Sequence, residues 1–450
     1  MGPAKAVNPH VKVIVKFPNW YEHFQGLGFN LKDEPKIFDG IYTGTETRDA
    51  VTSAQHLQPY HGYSIIRYFE NIAPGKNGGG WVDPFASNYS DRYAEQLWIT
   101  LFAKAREQTL FDFRSLSRPI YMTDRARWQG QHASFDYDEM MQTLVNYNGD
   151  QPEKPSTIAR VAGYTFEKVD KFVGKLGKPI GIKSYRPYNA VGEDFLQSYL
   201  GMIGLPMDMQ PDFPAEDSVV LLTEEAKFDN DIVGKIKKQL TEGKTVVITS
   251  GLLKNIQSKL DDIVELRYTD RKALVQDYTA GTFQLIHTEK PILIPQIQYL
   301  TNDSWEIVSG ISGQDGWPIL HEADYSKGHF YVLTIPDNFS DLYNLPPEAL
   351  NKIREVMGAQ LSVQIEGPSG IALYVYDNNT FIAESFLDKE TAINIVTSNQ
   401  HHKIADLTSS QQFVGELRKP GMSYIEKNRK EKNVFHVSIK PHSFQVFQLE

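Results

Sequence analysis

Two glutamates at the ends of strand-like segments have the type and spacing to do chemistry. Glu46 lies in Thr43-Gly44-Thr45-Glu46-Thr47-Arg48-Asp49, and Glu70 in Arg67-Tyr68-Phe69-Glu70-Asn71. They are 24 residues apart, about one strand–helix unit. Neighbouring parallel strand ends would carry both into one cleft. Paired carboxyls there are suited to cleaving glycosidic bonds, one as acid/base and one as nucleophile or base. Glu46 equally suits capping the next helix, beside Thr45 or Thr47, and Glu70 suits an ion pair with Arg67.

Aromatic residues accompany the carboxyls. Trp20-Tyr21-Glu22-His23-Phe24 follows the first strand, and Gly75-Lys76-Asn77-Gly78-Gly79-Gly80-Trp81-Val82-Asp83-Pro84-Phe85 reads as a flexible loop carrying Trp81. Trp20 and Trp81 could each stack a sugar ring or pack on a rim. The glycine run is not a phosphate loop, since Gly-x-x-x-x-Gly-Lys-Ser/Thr is absent. Arg67, Asn71 and Asp112 are candidate substrate-binding residues. His23, His56 and His61 show no metal-ligand spacing, so neither a metal nor a cofactor is expected.

The elements that must position these residues begin with alternating strand and helix signals. Strands read at 11–17, 40–45, 63–69 and 109–113, and helices near 49–60, 90–106 and 156–175. In the 90–106 helix Ser90 or Asp91 can cap, and Tyr93, Leu97, Leu101 and Ala105 recur at i+4. The stretch 114–155 is polar and weakly periodic, with Arg125, Arg127, Trp128 and Gln129 and a linker from Asn146 to Pro155. Strand–helix alternation predicts a parallel sheet.

A second α/β pattern spans 177–357. Strands read at Ile180–Tyr185, Ser218–Thr223, Thr245–Ser250, Pro291–Ile294 and Phe330–Ile335, and helices at Asp229–Leu240, Leu252–Leu260 and Pro347–Met357. Val219-Val220-Leu221-Leu222 and Val246-Val247-Ile248 suit strands covered on both faces, and the outline is doubly wound. Residues 358–450 turn to strands at 361–365, 371–376, 392–397 and 434–440. The last alternates Phe435, Val437 and Ile439 with His436, Ser438 and Lys440, as in a β-sandwich.

Ser250 ends a central strand of the second pattern, where amidotransferase-like domains carry a cysteine nucleophile. Thr-Ser-Gly-Leu is not Gly-x-Ser-x-Gly, so helix capping weighs more than a serine nucleophile.

Composition bounds these readings. The 450 residues suggest about three domains. A net charge of −10 without a long basic run argues against a nucleic-acid partner. With no cysteine, disulfides, thiolate metal sites and thiol nucleophiles are excluded, and amidotransfer with them. Met1–His10 has no signal-peptide pattern, and no 18-residue apolar run predicts a membrane span.

The order of a βα-barrel-type unit, an amidotransferase-like (flavodoxin-like) α/β domain and a β-domain resembles family 42 β-galactosidases. It also resembles large bacterial glycoside hydrolase-like proteins of Bacteroidetes type. The resemblance rests on Phe17-Pro18-Asn19-Trp20-Tyr21-Glu22, the segment Tyr42–Arg48, Arg67-Tyr68-Phe69-Glu70-Asn71, Gly192-Glu193-Asp194-Phe195 and Leu200-Gly201-Met202-Ile203-Gly204-Leu205-Pro206. It implies a partial (β/α) barrel over 1–176, the α/β domain over 177–357 and a β-sandwich over 358–450. With 109–113 as strand eight, 63–69 becomes strand seven and Glu70 falls at the family's nucleophile position. Strands one to four, and the acid/base with them, are then expected upstream, with Glu46 as a possible substitute.

The resemblance thus implies a truncated retaining glycoside hydrolase acting on an oligo- or polysaccharide, from a periplasmic or extracellular parent. The alternative is a non-catalytic carbohydrate-binding or oligomerisation protein. An incomplete barrel exposes strand edges, so a homo-oligomer is expected.

Overall fold

The computed structural model describes residues 2–48, 57–87, 89–130, 134–146, 153–282, 284–420 and 430–450. The helix read over 49–60 falls largely outside them, as do His56 and most of the Asn146–Pro155 linker.

The first region is a four-stranded parallel sheet in the order β1 (Ile14–Phe17), β2 (Gly40–Gly44), β3 (Asn77–Val82), β4 (Glu107–Leu110). Helix α1 (His61–Ile72) crosses from β2 to β3, α2 (Ser90–Phe102) from β3 to β4, and α3 (Ala159–Val173) packs on α2. Phe17 stacks on Phe69 of α1 at 4.8 Å and meets Phe24 at its edge, forming an aromatic layer under the sheet. On β1, Ile14 is 44% exposed and Phe17 fully buried, the alternation of a strand covered on one face.

Two sequence expectations are corrected here. Residues 63–69 are not a strand but the middle of α1. That helix packs on the sheet, on α2 and on the next region, so eight of its residues are buried, and within Tyr63–Phe69 the mostly apolar run is too short to tell a helix from a strand. The glycine-rich segment is not a loop but β3. A Cβ on Gly79 would meet the Glu107 carbonyl oxygen at 1.8 Å, and one on Gly80 the Thr45 hydroxyl at 2.5 Å, so these glycines allow close approach of backbones. The 109–113 strand is shifted to β4 and ends before Asp112.

The middle region holds β5 (Pro179–Ile180), β6 (Ile182–Tyr185), α4 (Leu196–Met202), β7 (Met207–Gln210), β8 (Val219–Leu222), α5 (Ile232–Thr241), β9 (Thr245–Thr249) and α6 (Ser250–Ile256). Then come β10 (Leu266–Ala280), β11 (Ile286–Tyr299), β12 (Ser304–Ser312), β13 (Asp315–Tyr325), β14 (Gly328–Leu333) and α7 (Pro347–Met357). The parallel part runs β7-β6-β8-β9-β14, with the first strand between the second and third, the order of a doubly wound sheet. The strand read at 291–294 is not in this parallel part. It belongs to β11, the edge of an antiparallel extension β13-β12-β10-β11.

The last region has two largely antiparallel sheets. Val363–Glu366, Thr391–Ser398, Lys432–Ile439 and Glu416–Arg418 form one. Gln412–Val414, Lys403–Asp406, Ser443–Leu449, Thr380–Ser385, Ile371–Tyr376 and β5 form the other. Ile365, Ile395, Phe435, Phe381, Val375 and Phe447 fill the space between them. Phe102 of α2 packs against Tyr374 and Phe444, so the first and last regions share one core. No helix among the described residues is long and apolar enough to cross a membrane.

Candidate active site

Glu46 lies just beyond the C-terminal end of β2, where ligand-binding loops gather in parallel α/β sheets. It is 1% exposed. Trp81 Nε1 donates to Glu46 Oε1 at 3.0 Å, while Oε2 is buried without a hydrogen-bond partner. Burial pushes the carboxyl up to about 7, and the negative charge of Asp83 adds to the shift. Glu46's own N–H, Trp81 and Arg48 oppose it.

Arg48 and Asp83 complete this end of the sheet. Arg48 Nη2 meets Asp83 Oδ2 at 3.1 Å, and the guanidinium lies 5.1 Å from the Phe85 ring and 5.9 Å from the Trp20 ring. The Arg48 backbone is left-handed, at φ 56°, and Gln96 of α2 accepts the N–H groups of Thr47 and Arg48 at 3.0 and 3.2 Å. Lys16 Nζ stands 5.5 Å over Trp81. Trp20, Glu46 and Trp81, all read from sequence, thus come together. Pro84, Phe85, Ser87, Ser115, Arg118 and Asp124 line a depression of about 430 Å³ next to them.

Sequence reasoning passed over Asn19, Arg48 and Asp83 as site residues. Arg48 and Asp83 each lie two positions beyond Glu46 and Trp81. Only the first of these spacings was an available signal, since Trp81 read as part of a loop and not as the end of a strand. Asn19 Nδ2 donates to the Glu46 carbonyl at 2.7 Å. The Asn19 carbonyl meets His61 Nε2 at 3.0 Å, and His61 Nδ1 meets Ser198 Oγ of α4 at 3.0 Å. Burial holds this imidazole down to about 4, and with both ring nitrogens engaged and the side chain inaccessible it ties the first region to the middle one.

Glu22 and His23 do not join the cleft. Glu22 turns to Arg186 (2.8 Å), which also pairs with Glu225 (3.0 Å), and all three are essentially inaccessible. Burial opposes the Arg186 charge, but the two carboxylates outweigh it; burial raises Glu225. Glu22, Asp194 and Glu225 have metal-like spacing, yet Arg186 already supplies the cation. Glu322, Asp324 and His329 on β13 and β14 are also so grouped, within the middle region. His23 packs against Tyr21.

Glu70, Arg67 and Asn71 are corrected in place. As residues of α1, which runs back from the Glu46 end, they lie at the opposite end of the sheet, near the start of β3. Glu70 accepts the Gly75 N–H at 2.9 Å and lies 3.8 Å from Arg106. Arg67 and Asn71 reach Asp208 of β7 at 3.4 and 2.8 Å. Asp112 does follow β4 at the Glu46 end, but it caps the short helix Phe113–Leu116 through the Ser115 N–H, and that bond lowers its pKa.

Ser250 Oγ accepts the Ile335 N–H at 2.9 Å and is 2% exposed, while Thr249 caps α6. That leaves Ser250 a structural role. Trp128 and Gln129 donate to Asp91, Arg125 pairs with Asp138, and Arg127 pairs with Asp388.

Residues 1–175 match the family model described as "Probable glycosyl hydrolase, catalytic domain". Residues 362–449 match "Probable glycosyl hydrolase, C-terminal domain", and residues 177–338 match the second domain of the uncharacterized protein SSO3021. SSO3021 of Saccharolobus solfataricus is 22% identical over 466 residues, covering 100% of this chain and 69% of that protein. The fold is similar to Gan42B, a GH42 β-galactosidase of G. stearothermophilus, with a TM-score of 0.54 and 11% identity over 99% of this chain and 65% of that one. It is also similar to the β-galactosidase of Rahnella sp. R3, with a TM-score of 0.56 and 11% identity over 100% and 65%. The chain thus spans 65% of the length of these structures, whose fold it shares.

Proposed function

We propose that this chain carries a reacting carboxyl of a glycoside hydrolase, Glu46, with Trp20 and Trp81 as sugar-facing aromatics and Arg48–Asp83 as the pair that sets its charge environment. The observation that carries this is a buried carboxyl at the C-terminal end of a parallel sheet, one oxygen held by Trp81 and the other without a partner, which burial pushes up to about 7. The match to probable glycosyl hydrolase domains and the GH42-like fold support the same reading.

A carboxyl half-protonated at neutral pH is suited to donating a proton to the leaving glycosidic oxygen and recovering one from water. Trp81 fixes one oxygen, so the proton is presented on Oε2. Asp83 keeps a negative charge nearby and opposes early ionisation. In a retaining reaction a second carboxyl about 5 Å away attacks the sugar. β1 and β4 are the edges at which further parallel strands would close the sheet and bring such a group.

Hydrolysis of a panel of activated aryl glycosides tests the reading. Glu46→Gln should remove turnover, and azide should restore it in Glu46→Ala. A glycosyl azide of retained configuration would assign Glu46 as acid/base, and one of inverted configuration as nucleophile. Unchanged hydrolysis by Glu46→Gln would refute the assignment. The second reading, carbohydrate binding without turnover, is favoured by the engagement of Asp83 with Arg48. Calorimetric sugar binding with no release of aglycone would select it.

A further inference from the structure

The Arg67–Asn71 segment, displaced from the Glu46 cleft, lines a cavity of about 550 Å³ at the other end of the sheet. All three regions meet there: residues 66–106, residues 177–180 and Asp377. Arg67, Lys104, Arg106 and Lys178 supply four basic groups against the two acidic groups Glu70 and Asp377, in a chain of net charge −10. Arg67 is shared with Asp208, while Arg106 donates to the Gly75 carbonyl at 2.7 Å and lies 3.8 Å from Glu70. Lys104 donates to the Val173 carbonyl at 2.8 Å, and burial lowers its pKa. Burial without a counter-charge is a cost that an incoming anion would offset.

A second observation is independent of charge. Asn77, 3% exposed on the cavity wall, donates through Nδ2 to the Ile66 carbonyl but leaves Oδ1 without a hydrogen-bond partner. Arg67 Nε is likewise unpartnered. Buried polar atoms are normally satisfied. An acceptor and a donor left over in one cavity match a ligand that brings both a hydroxyl and an anionic oxygen. The volume suits a molecule of sugar size.

We propose that this cavity binds a small hydroxylated anion, with Lys104, Arg106 and Lys178 around its phosphate or carboxylate and Asn77 Oδ1 accepting from a hydroxyl. The site is separate from the Glu46 cleft and does not depend on its function.

Isothermal calorimetry on the full chain tests this with four probes: glucose 6-phosphate, gluconate, inorganic phosphate and glucose. At least one of the first two should bind with a Kd below about 5 mM, and more tightly than inorganic phosphate or glucose. Lys178→Glu and Arg106→Gln, both at exposed positions, should weaken that binding at least about tenfold. Asn77→Ala should weaken it without changing the response to inorganic phosphate. A thermal melt of each variant confirms folding. The proposal is overturned if neither hydroxylated anion binds below about 5 mM, if both charge variants bind as well as the parent, or if inorganic phosphate binds as tightly as the tighter of the two hydroxylated anions.

Discussion

The two ends of the four-stranded sheet carry one glutamate each, in opposite circumstances. Glu46 is buried, is pushed up to about 7 by that burial, and holds one oxygen without a hydrogen-bond partner. Glu70 is partly exposed and tied to the Gly75 N–H and Arg106. Both ends are fastened to the middle region, again differently. Above, Arg186 sits between two buried carboxylates, and Ser198, His61 and Asn19 lead to the Glu46 carbonyl. Below, Arg67 and Asn71 share Asp208 with Lys183. Residue type alone did not separate the two glutamates. Their distance from water and their hydrogen-bond partners do.

The largest expected difference is in turnover. Glu46→Gln should reduce aryl glycoside hydrolysis on the order of 10³-fold or more, while Glu70→Gln should stay within about threefold. Equal losses would erase the contrast between the two ends. Next comes anchoring. Arg186→Met leaves Glu22 and Glu225 buried and unpaired, and should cost about 3–5 kcal/mol in urea denaturation. Arg67→Met leaves Asp208 with Lys183 at 2.5 Å and Asn71, and should cost about 1 kcal/mol.

A smaller effect follows from linkage. Glu46 ionises near its ordinary 4.5 in the unfolded chain and at about 7 when folded. Between those values the unfolded chain gives up a proton that the folded chain keeps. The parent therefore loses stability relative to Glu46→Gln as pH rises from about 4.5 to 7, by about 3 kcal/mol, and the gap is constant above that. Melting temperatures of the two at pH 4 and pH 8 check the sign. Smallest, Trp81→Phe removes the indole donor, should cost about 1–2 kcal/mol and should raise the pH at which Glu46 ionises.

The legible parts of the molecule were those where local pattern and tertiary environment agree. Val219-Val220-Leu221-Leu222 read as a strand because a β-branched run suits a buried sheet, and Ile14-Val15 because β-branched residues suit a strand covered on one face. The segment Tyr63–Phe69 did not read as a helix because its polar positions are few and the period shows only when the flanking residues are read with it. β3 was hidden because Gly78, Gly79 and Gly80 serve close packing, a use that composition does not distinguish from flexibility. Its misreading also hid the Trp81–Glu46 bond. Apart from Pro291–Ile294 of β11, the long strands β10–β13 were missed because exposed residues such as Leu274 and Trp305 blur their alternation. The position of Glu46 just past a strand end was legible from the glycine and threonines around it. Asp83 and Asn19 were not, because only the register β1-β2-β3 brings them to it.

The most direct test of the central claim is a ¹³C NMR titration of the chain labelled at the glutamate side-chain carboxyls. Burial also pushes Glu193 up to about 7, so assignment must come from variants. A resonance titrating at about 7 that disappears in Glu46→Gln and persists in Glu70→Gln is the predicted result. A Glu46 resonance titrating near its ordinary 4.5 would contradict the account.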